Sequence, residues 1–170
     1  MRDVWDTTIS APAGPIRARV YVPRRAEPAL LLYFHGGGFV VGGLESHDGL
    51  CRYIAAKSRL TVVAVEYHLA PEFPFPTAVE DALAAWQWAL DHSARLGVDP
   101  TRIAVGGDSS GGNLATVIAQ SLVLGDADQR PALQLLLYPV LDASEKRPSY
   151  QHFCEGFGIT AAHCDWGFGH

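Results

Sequence analysis

Two short segments of this 170-residue chain carry residue types whose spacing suits chemistry. The first is Gly107-Asp108-Ser109-Ser110-Gly111, a G-x-S-x-G pattern. It follows a short apolar run, Ile103-Ala104-Val105, and opens a helical stretch from about Ser110 to Leu124. A serine at a sharp strand-to-helix turn presents its hydroxyl at the carboxyl edge of a sheet, and the helix N-terminus beside it favours negative charge. Residues two positions away on either side must be small, because a Cβ there would meet the adjacent strand or helix. Ser109 is thus a candidate nucleophile. Asp108, pointing off the turn, is expected to tie the loop by hydrogen bonds. A plain glycine-rich turn and a phosphate loop are the competing readings. The second fails because the chain lacks the Gly-Lys-Ser/Thr of a P-loop and Gly106-Gly107 opens no GxGxxG.

The second segment is His35-Gly36-Gly37-Gly38, directly after the apolar run Ala29 to Phe34. Three consecutive glycines are entropically costly and suit a place where bare backbone N–H groups approach a ligand closely. Beside a nucleophilic serine that ligand would be the oxyanion of a tetrahedral intermediate. Taken alone, the segment reads equally as a flexible turn.

The surrounding pattern supplies a scaffold. Thr7 to Pro23 alternates in patches. Ile16 to Val22 places apolar side chains at even positions and Arg17 and Arg19 between them, as in a half-exposed antiparallel strand. Ala29 to Phe34, Leu60 to Tyr67 and Leu133 to Tyr138 read as strands buried on both sides. Leu50, Tyr53, Ile54 and Lys57 mark a helix over about Ser46 to Lys57. Pro71 to Pro76 is an ordered loop. Thr77, with Glu80 as capping-box partner, is expected to start an amphipathic helix that buries Val79, Leu83, Trp86 and Leu90 and stops at Gly97. Strands alternating with helices imply a mostly parallel α/β sheet with helices on both faces.

Composition narrows the function classes. With 48% hydrophobic and 18% charged residues the chain has the makings of a filled core. A net charge of −5 argues against nucleic-acid binding. No apolar run approaches the roughly 20 residues of a membrane span, and the N-terminus shows no signal-peptide pattern. Cys51, Cys154 and Cys164 form no CxxC pair and read as free thiols. No metal cluster or cofactor motif is present. These features point to a soluble, cytoplasmic globular protein.

His35-Gly36-Gly37-Gly38-Phe39, Tyr67-His68-Leu69-Ala70-Pro71-Glu72 and Gly107 through Leu114 together resemble the hormone-sensitive-lipase-like branch of the α/β-hydrolases, which contains bacterial carboxylesterases and acetyl esterases. Leu135 to Val140, Pro148-Ser149-Tyr150 and Glu155 to Thr160 extend the resemblance over nearly the whole chain. It implies a serine esterase for short-acyl esters, needing no cofactor. Ser109 matches the nucleophile, Gly37 and Gly38 the oxyanion glycines, and the Ser110 N–H the third donor. His35, with Gly36, supports the loop and is not the base. Ser110 stands where alanine is usual, and His68 where arginine is usual, which is expected to weaken a structural ion pair.

The resemblance also sets an expectation of incompleteness. Its order is serine, then acid, then histidine, on loops after later strands. Positions 110–170 offer one clear strand, no Asp-Pro-Leu-type acid motif and no loop matching the catalytic histidine. Little chain precedes His35, so most of the helical cap is expected to be lacking. The reading is one partial α/β-hydrolase domain over residues 1–170. Asp142 with His152, His163 or His170 keeps the triad order, although Asp142 matches a non-catalytic position. Two other readings stay open: a non-catalytic binder of small ligands on the same fold, and an inactive truncated product. The strand at Leu133 to Tyr138 would lack a neighbour and offer its edge for self-association.

Overall fold

The computed structural model describes residues 1–168, with only the backbone of Phe168. Six strands form one sheet: β1 (Asp3–Ile9), β2 (Ile16–Val22), β3 (Leu30–Phe34), β4 (Thr61–Glu66), β5 (Ile103–Asp108) and β6 (Gln134–Leu137). Their spatial order is β1-β2-β4-β3-β5-β6. β1 and β2 run antiparallel to their neighbours, while β4, β3, β5 and β6 are mutually parallel. The connections between parallel strands carry the long helices α1 (Leu44–Ser58), α2 (Thr77–Leu96) and α3 (Ser110–Leu124). Two short helices follow β6, α4 (Pro148–His152) and α5 (Ala161–Phe168). Among the described residues no helix is long and apolar enough to cross a membrane.

The period of two along the strands splits the core into two layers. Leu30, Leu32 and Phe34 of β3 join Val63, Val65 and Val105 under Ala82, Ala85 and Trp86 of α2 and Leu114, Ala115 and Ile118 of α3. Leu31 and Tyr33 face the other way and meet Leu44, Cys51 and Ala55 of α1. The continuous apolar runs of β3 and β4 are therefore explained by helices on both faces, as expected for parallel strands.

Three sequence expectations need correction, and one strand lies outside those expected. Asp3–Ile9 forms an edge strand paired with β2 over its full length. Its residues are mostly exposed, so alternation gave little signal. Thr77 is not a cap: Pro76 holds that position, and no side chain caps the helix. The backbone N–H groups of Val79 and Glu80 instead donate to the Pro76 carbonyl, at 2.9 and 3.2 Å. The buried stripe of α2 centres on Ala82, Ala85, Trp86 and Ala89, with Val79, Leu83 and Leu90 only partly covered. Small residues let α2 lie close to the sheet, which apolar periodicity alone does not reveal. Finally, β6 is shorter than Leu133 to Tyr138 and is not buried on both sides, since Leu135 to Leu137 are half-buried and Leu133 and Tyr138 are exposed. Among the described residues it pairs on one side only, with β5.

The sheet's half-exposed end is held by charge. Arg19 on β2 donates to Asp6 on β1 at 2.6 Å, and to Glu45 at 2.7 Å and Asp48 at 3.2 Å on α1. Arginine suits this because its planar fork can serve several carboxylates at once. Hydrogen bonds from Arg19 hold the Asp6 carboxyl at about 2, below its ordinary value, against some opposing desolvation.

Candidate active site

The two chemistry-bearing segments meet at the carboxyl ends of β3 and β5, which are adjacent and parallel with Phe34 opposite Gly107. Ser109 follows β5 and precedes α3, with φ 52° and ψ −118°. A positive φ is unusual for a residue with a side chain and marks backbone strain of order 1–3 kcal/mol. The surroundings hold it. Ser109 N–H donates to the Leu137 carbonyl at 2.9 Å, and its own carbonyl accepts from Asn113 and Val140 at 3.1 and 3.2 Å. A Cβ at Gly107 would overlap the Gly111 backbone and the Phe34 carbonyl, and one at Gly111 would overlap Phe34. The small residues flanking the serine are thus required by close approach of α3 to β3. Ser109 is half-buried, and among the described residues no side chain hydrogen-bonds its Oγ.

The glycine run divides its labour. Gly36 N–H donates to Asp108 Oδ1 at 3.0 Å. The Gly37 carbonyl accepts from Val40 and Val41, both at 3.1 Å, forming a tight turn. The N–H groups of Gly37 and Gly38 find no acceptor among the described residues. Both residues have positive φ, 131° and 63°. The Ser110 N–H is in the first turn of α3, where helical N–H groups have no intrahelical partner. Three backbone donors at the carboxyl ends of β3 and β5 are therefore left without an acceptor among the described residues, and donors of this kind can stabilise developing negative charge.

The supporting groups follow. His35 is buried; its Nδ1 donates to the Gly36 carbonyl at 2.8 Å, and its ring stacks on Tyr67 at 4.3 Å. Burial lowers its pKa, so it packs as a neutral ring beneath the loop. Asp108 accepts from the Tyr33 hydroxyl at 2.8 Å as well as from Gly36, tying the elbow as expected. Burial raises its pKa, but hydrogen bonds from His47, Tyr33 and Gly36 outweigh this and hold the carboxyl below its ordinary value. Nothing in residue type or spacing had singled out His47. Ser110 Oγ neighbours the Tyr67 hydroxyl, but that hydroxyl donates to the His35 carbonyl at 2.8 Å. Ser110 Oγ is buried without a satisfied hydrogen bond among the described residues, so serine in place of the usual alanine carries a desolvation cost. His68 does engage a carboxylate: its Nδ1 lies 2.8 Å from the buried Asp81, which also accepts the His68 backbone N–H.

An apolar cavity of about 560 Å³ opens beside the elbow, bounded by Phe39, His68, Phe73, Val79, Asn113 and Leu114. Phe39 adjoins the glycine loop, and Asn113 and Leu114 lie on the first turns of α3. Such a cavity suits the apolar part of a small molecule.

Among the described residues no hydrogen bond joins the candidate triad partners. Asp142 is exposed, and its carboxylate accepts from Ser144 N–H at 2.8 Å and from Ser144 Oγ at 2.6 Å, a local turn. Those hydrogen bonds lower its pKa. His163 Nδ1 accepts from the Thr160 N–H at 3.3 Å, and the exposed His152 lies against Phe153. Among the described residues neither forms a hydrogen bond with Asp142 or Ser109. His170 lies outside the described residues.

Comparison with known proteins places these features in a family. Residues 31–170 match the family described as alpha/beta hydrolase fold. The chain is similar to an ethyl acetate hydrolase from Pseudomonas putida, 47% identical over 87% of this chain and 48% of that protein. It is also similar to the carboxylic ester hydrolase LipN of Mycobacterium tuberculosis, 44% identical over 96% of this chain and 45% of that protein. Among solved structures, a hyperthermophilic esterase from the archaeon Pyrobaculum calidifontis superposes with a TM-score of 0.91 at 43% identity, covering 98% of this chain and 54% of that one. The chain spans about half the length of the curated relatives it matches. With the order of elements and the identity over most of the chain in agreement, the chain belongs to the alpha/beta hydrolase fold family and spans part of that fold.

Proposed function

We propose that the chain carries the nucleophile half of a carboxylic ester hydrolase acting through a serine acyl-enzyme on short-acyl esters. The observation that carries this reading is the uncommitted N–H groups of Gly37 and Gly38 beside the strained Ser109 turn. Ser109 Oγ attacks the ester carbonyl carbon, and the carbonyl electron pair moves onto oxygen, where the N–H groups of Gly37, Gly38 and Ser110 stabilise it. Collapse of the intermediate expels the alcohol, and water then releases the acid by the same path. The Ser109 proton must pass to a base and on to the leaving oxygen. The relatives are named as esterases and are about twice as long, and the serine-acid-histidine order puts the acid and base in the portion that this chain does not span. The cytoplasm fits the reading, since Cys51, Cys154 and Cys164 are free.

A hydroxyl without a base is a poor nucleophile at neutral pH. Enzymes that lose a triad member still keep roughly 10³–10⁴-fold over water from binding and the oxyanion hole. The 170-residue chain is expected to hydrolyse p-nitrophenyl acetate at about that residual level, with saturation. Hydrolysis indistinguishable from buffer would contradict the reading. A normal esterase rate abolished by Ser109→Ala would show instead that the chain assembles a complete triad. The second reading, a non-catalytic binder, is favoured by the apolar cavity together with the engagement of Asp142 by Ser144. It predicts tight ligand binding with no hydrolysis.

The edge of β6 has a further consequence. Its Gln134–Leu137 segment carries no charge to deter pairing, and Leu133 and Tyr138 are exposed at its ends. The isolated chain is expected to associate through this edge. Sedimentation velocity should show a concentration-dependent increase in mass, and a monomer at all concentrations would contradict it.

A further inference from the structure

We propose that His47 and Asp108 are positioning residues that clamp both ends of the oxyanion loop. The proposal rests on the oxyanion reading above. The paired backbones of β3 and β5 end at Phe34 and Gly107. Beyond that point the chains diverge, one into the glycine loop and the other into the elbow. The Asp108 side chain continues the connection: it adjoins Ser109 in sequence, and its Oδ1 accepts the Gly36 N–H at 3.0 Å. Gly36 must be glycine for this, since a Cβ would overlap the Asp108 carboxylate.

The far end of the loop joins the same carboxylate. His47, in the first turns of α1, places Nε2 at 3.2 Å from Asp108 Oδ1 and 3.4 Å from Oδ2. An ionised carboxylate only accepts, so Nε2 is the donor there. His47 Nδ1 lies 2.9 Å from Ser46 Oγ. With Nε2 the donor, Nδ1 accepts the Ser46 hydroxyl proton, and the hydroxyl oxygen accepts the Gly43 N–H at 3.1 Å. One network therefore pins residue 36 where the loop leaves β3 and residue 43 where it enters α1. The donors at Gly37 and Gly38 lie between these pins. Because an ångström of misplacement can cost on the order of 10²-fold in rate, a loop of glycines needs such anchors.

The test compares His47→Gln, whose amide reaches Asp108, with His47→Asn, whose amide does not. Two quantities are read in the 170-residue chain: amide exchange at Gly36, Gly37 and Gly38, and the residual kcat and KM with p-nitrophenyl acetate. His47→Asn is expected to speed exchange at Gly36 and to lower kcat, each by about tenfold or more, with KM within about twofold. His47→Gln is expected to stay within about threefold of the parent. Equal behaviour of the two variants, or exchange that rises alike across the whole sheet, overturns the proposal. Gly37→Ala runs in parallel. A fall in its rate with none in His47→Asn sinks only the clamp. No fall in Gly37→Ala sinks the oxyanion reading, and Gly36 exchange still decides whether His47 holds the loop. Should His47→Asn fail to fold, Ser46→Ala cuts the link at its exposed end: exchange at Gly36, which Ser46 does not touch, rises about tenfold if the clamp exists and is unchanged if it does not.

Discussion

Replacing Gly37 with alanine should lower the residual ester hydrolysis of the chain by about 10²–10³-fold, the cost of losing an oxyanion donor. Gly37 sits at φ 131°, and a Cβ there would overlap the Val41 carbonyl, so alanine must swing the loop. Ser109→Ala should have a much smaller effect on the same rate. Removing the serine or the histidine of a serine triad costs about as much as removing all three members, and what survives is supplied by the oxyanion hole and binding. On the proposed reading, in which the base lies outside this chain, residual turnover is thus expected to depend on the glycine donors more than on the serine. Gly38→Ala calibrates the result. Its φ of 63° strains alanine by about 1–2 kcal/mol, but the nearest atom to the new methyl is Val40 Cγ2 at 3.9 Å, so its loss should be milder. Equal rates for Gly37→Ala and the parent would show that these N–H groups do not touch the reacting oxygen.

Gly111→Ala should destabilise the fold by about 3 kcal/mol or more, toward the upper end of overpacking costs. The methyl would overlap the Phe34 carbonyl and lie 2.6 Å from the His35 carbonyl oxygen. Neither side can yield cheaply: β3 is paired on both edges, with β4 and β5, and α3 is anchored by the buried Leu114, Ala115 and Ile118. Alanine gains about 1 kcal/mol of helix propensity over glycine, too little to offset a clash with backbone. Against total stabilities of about 5–15 kcal/mol, the urea midpoint should fall markedly. A midpoint at or above that of the parent would show that α3 is free to move away from the sheet, and with it the elbow.

Much of the site was legible because its residues are constrained by backbone geometry that few alternatives satisfy. Gly107 and Gly111 had to be small beside Ser109, and the structure shows the backbone they would strike. His35 lies under the loop as a neutral support. Asp108 ties the elbow, although the extent of its network was hidden. His47 carries no motif, and its contact spans 61 positions of sequence, so only the folded chain brings it to Asp108. The fold was readable where burial is two-sided, as in β3 and β4, and less so at the edges. β1 is a strand because β2 pairs with it and not because its own side chains alternate. Asp142 looked suitable by order, yet a nearby Ser144 satisfies it locally, and local hydrogen bonds need no long-range fold to form.

The central claim is that Ser109 is the nucleophile. The most direct measurement is peptide mass spectrometry after incubating the chain with an aryl fluorophosphonate, with free imidazole supplied as an external base. The phosphorus should be attacked by Ser109 Oγ with loss of fluoride, giving a single adduct on the peptide that contains Ser109. Its yield should rise with imidazole, and the adduct should vanish in Ser109→Ala. An adduct on another residue, or an unmodified Ser109 at every imidazole concentration while the chain remains folded, would contradict the account.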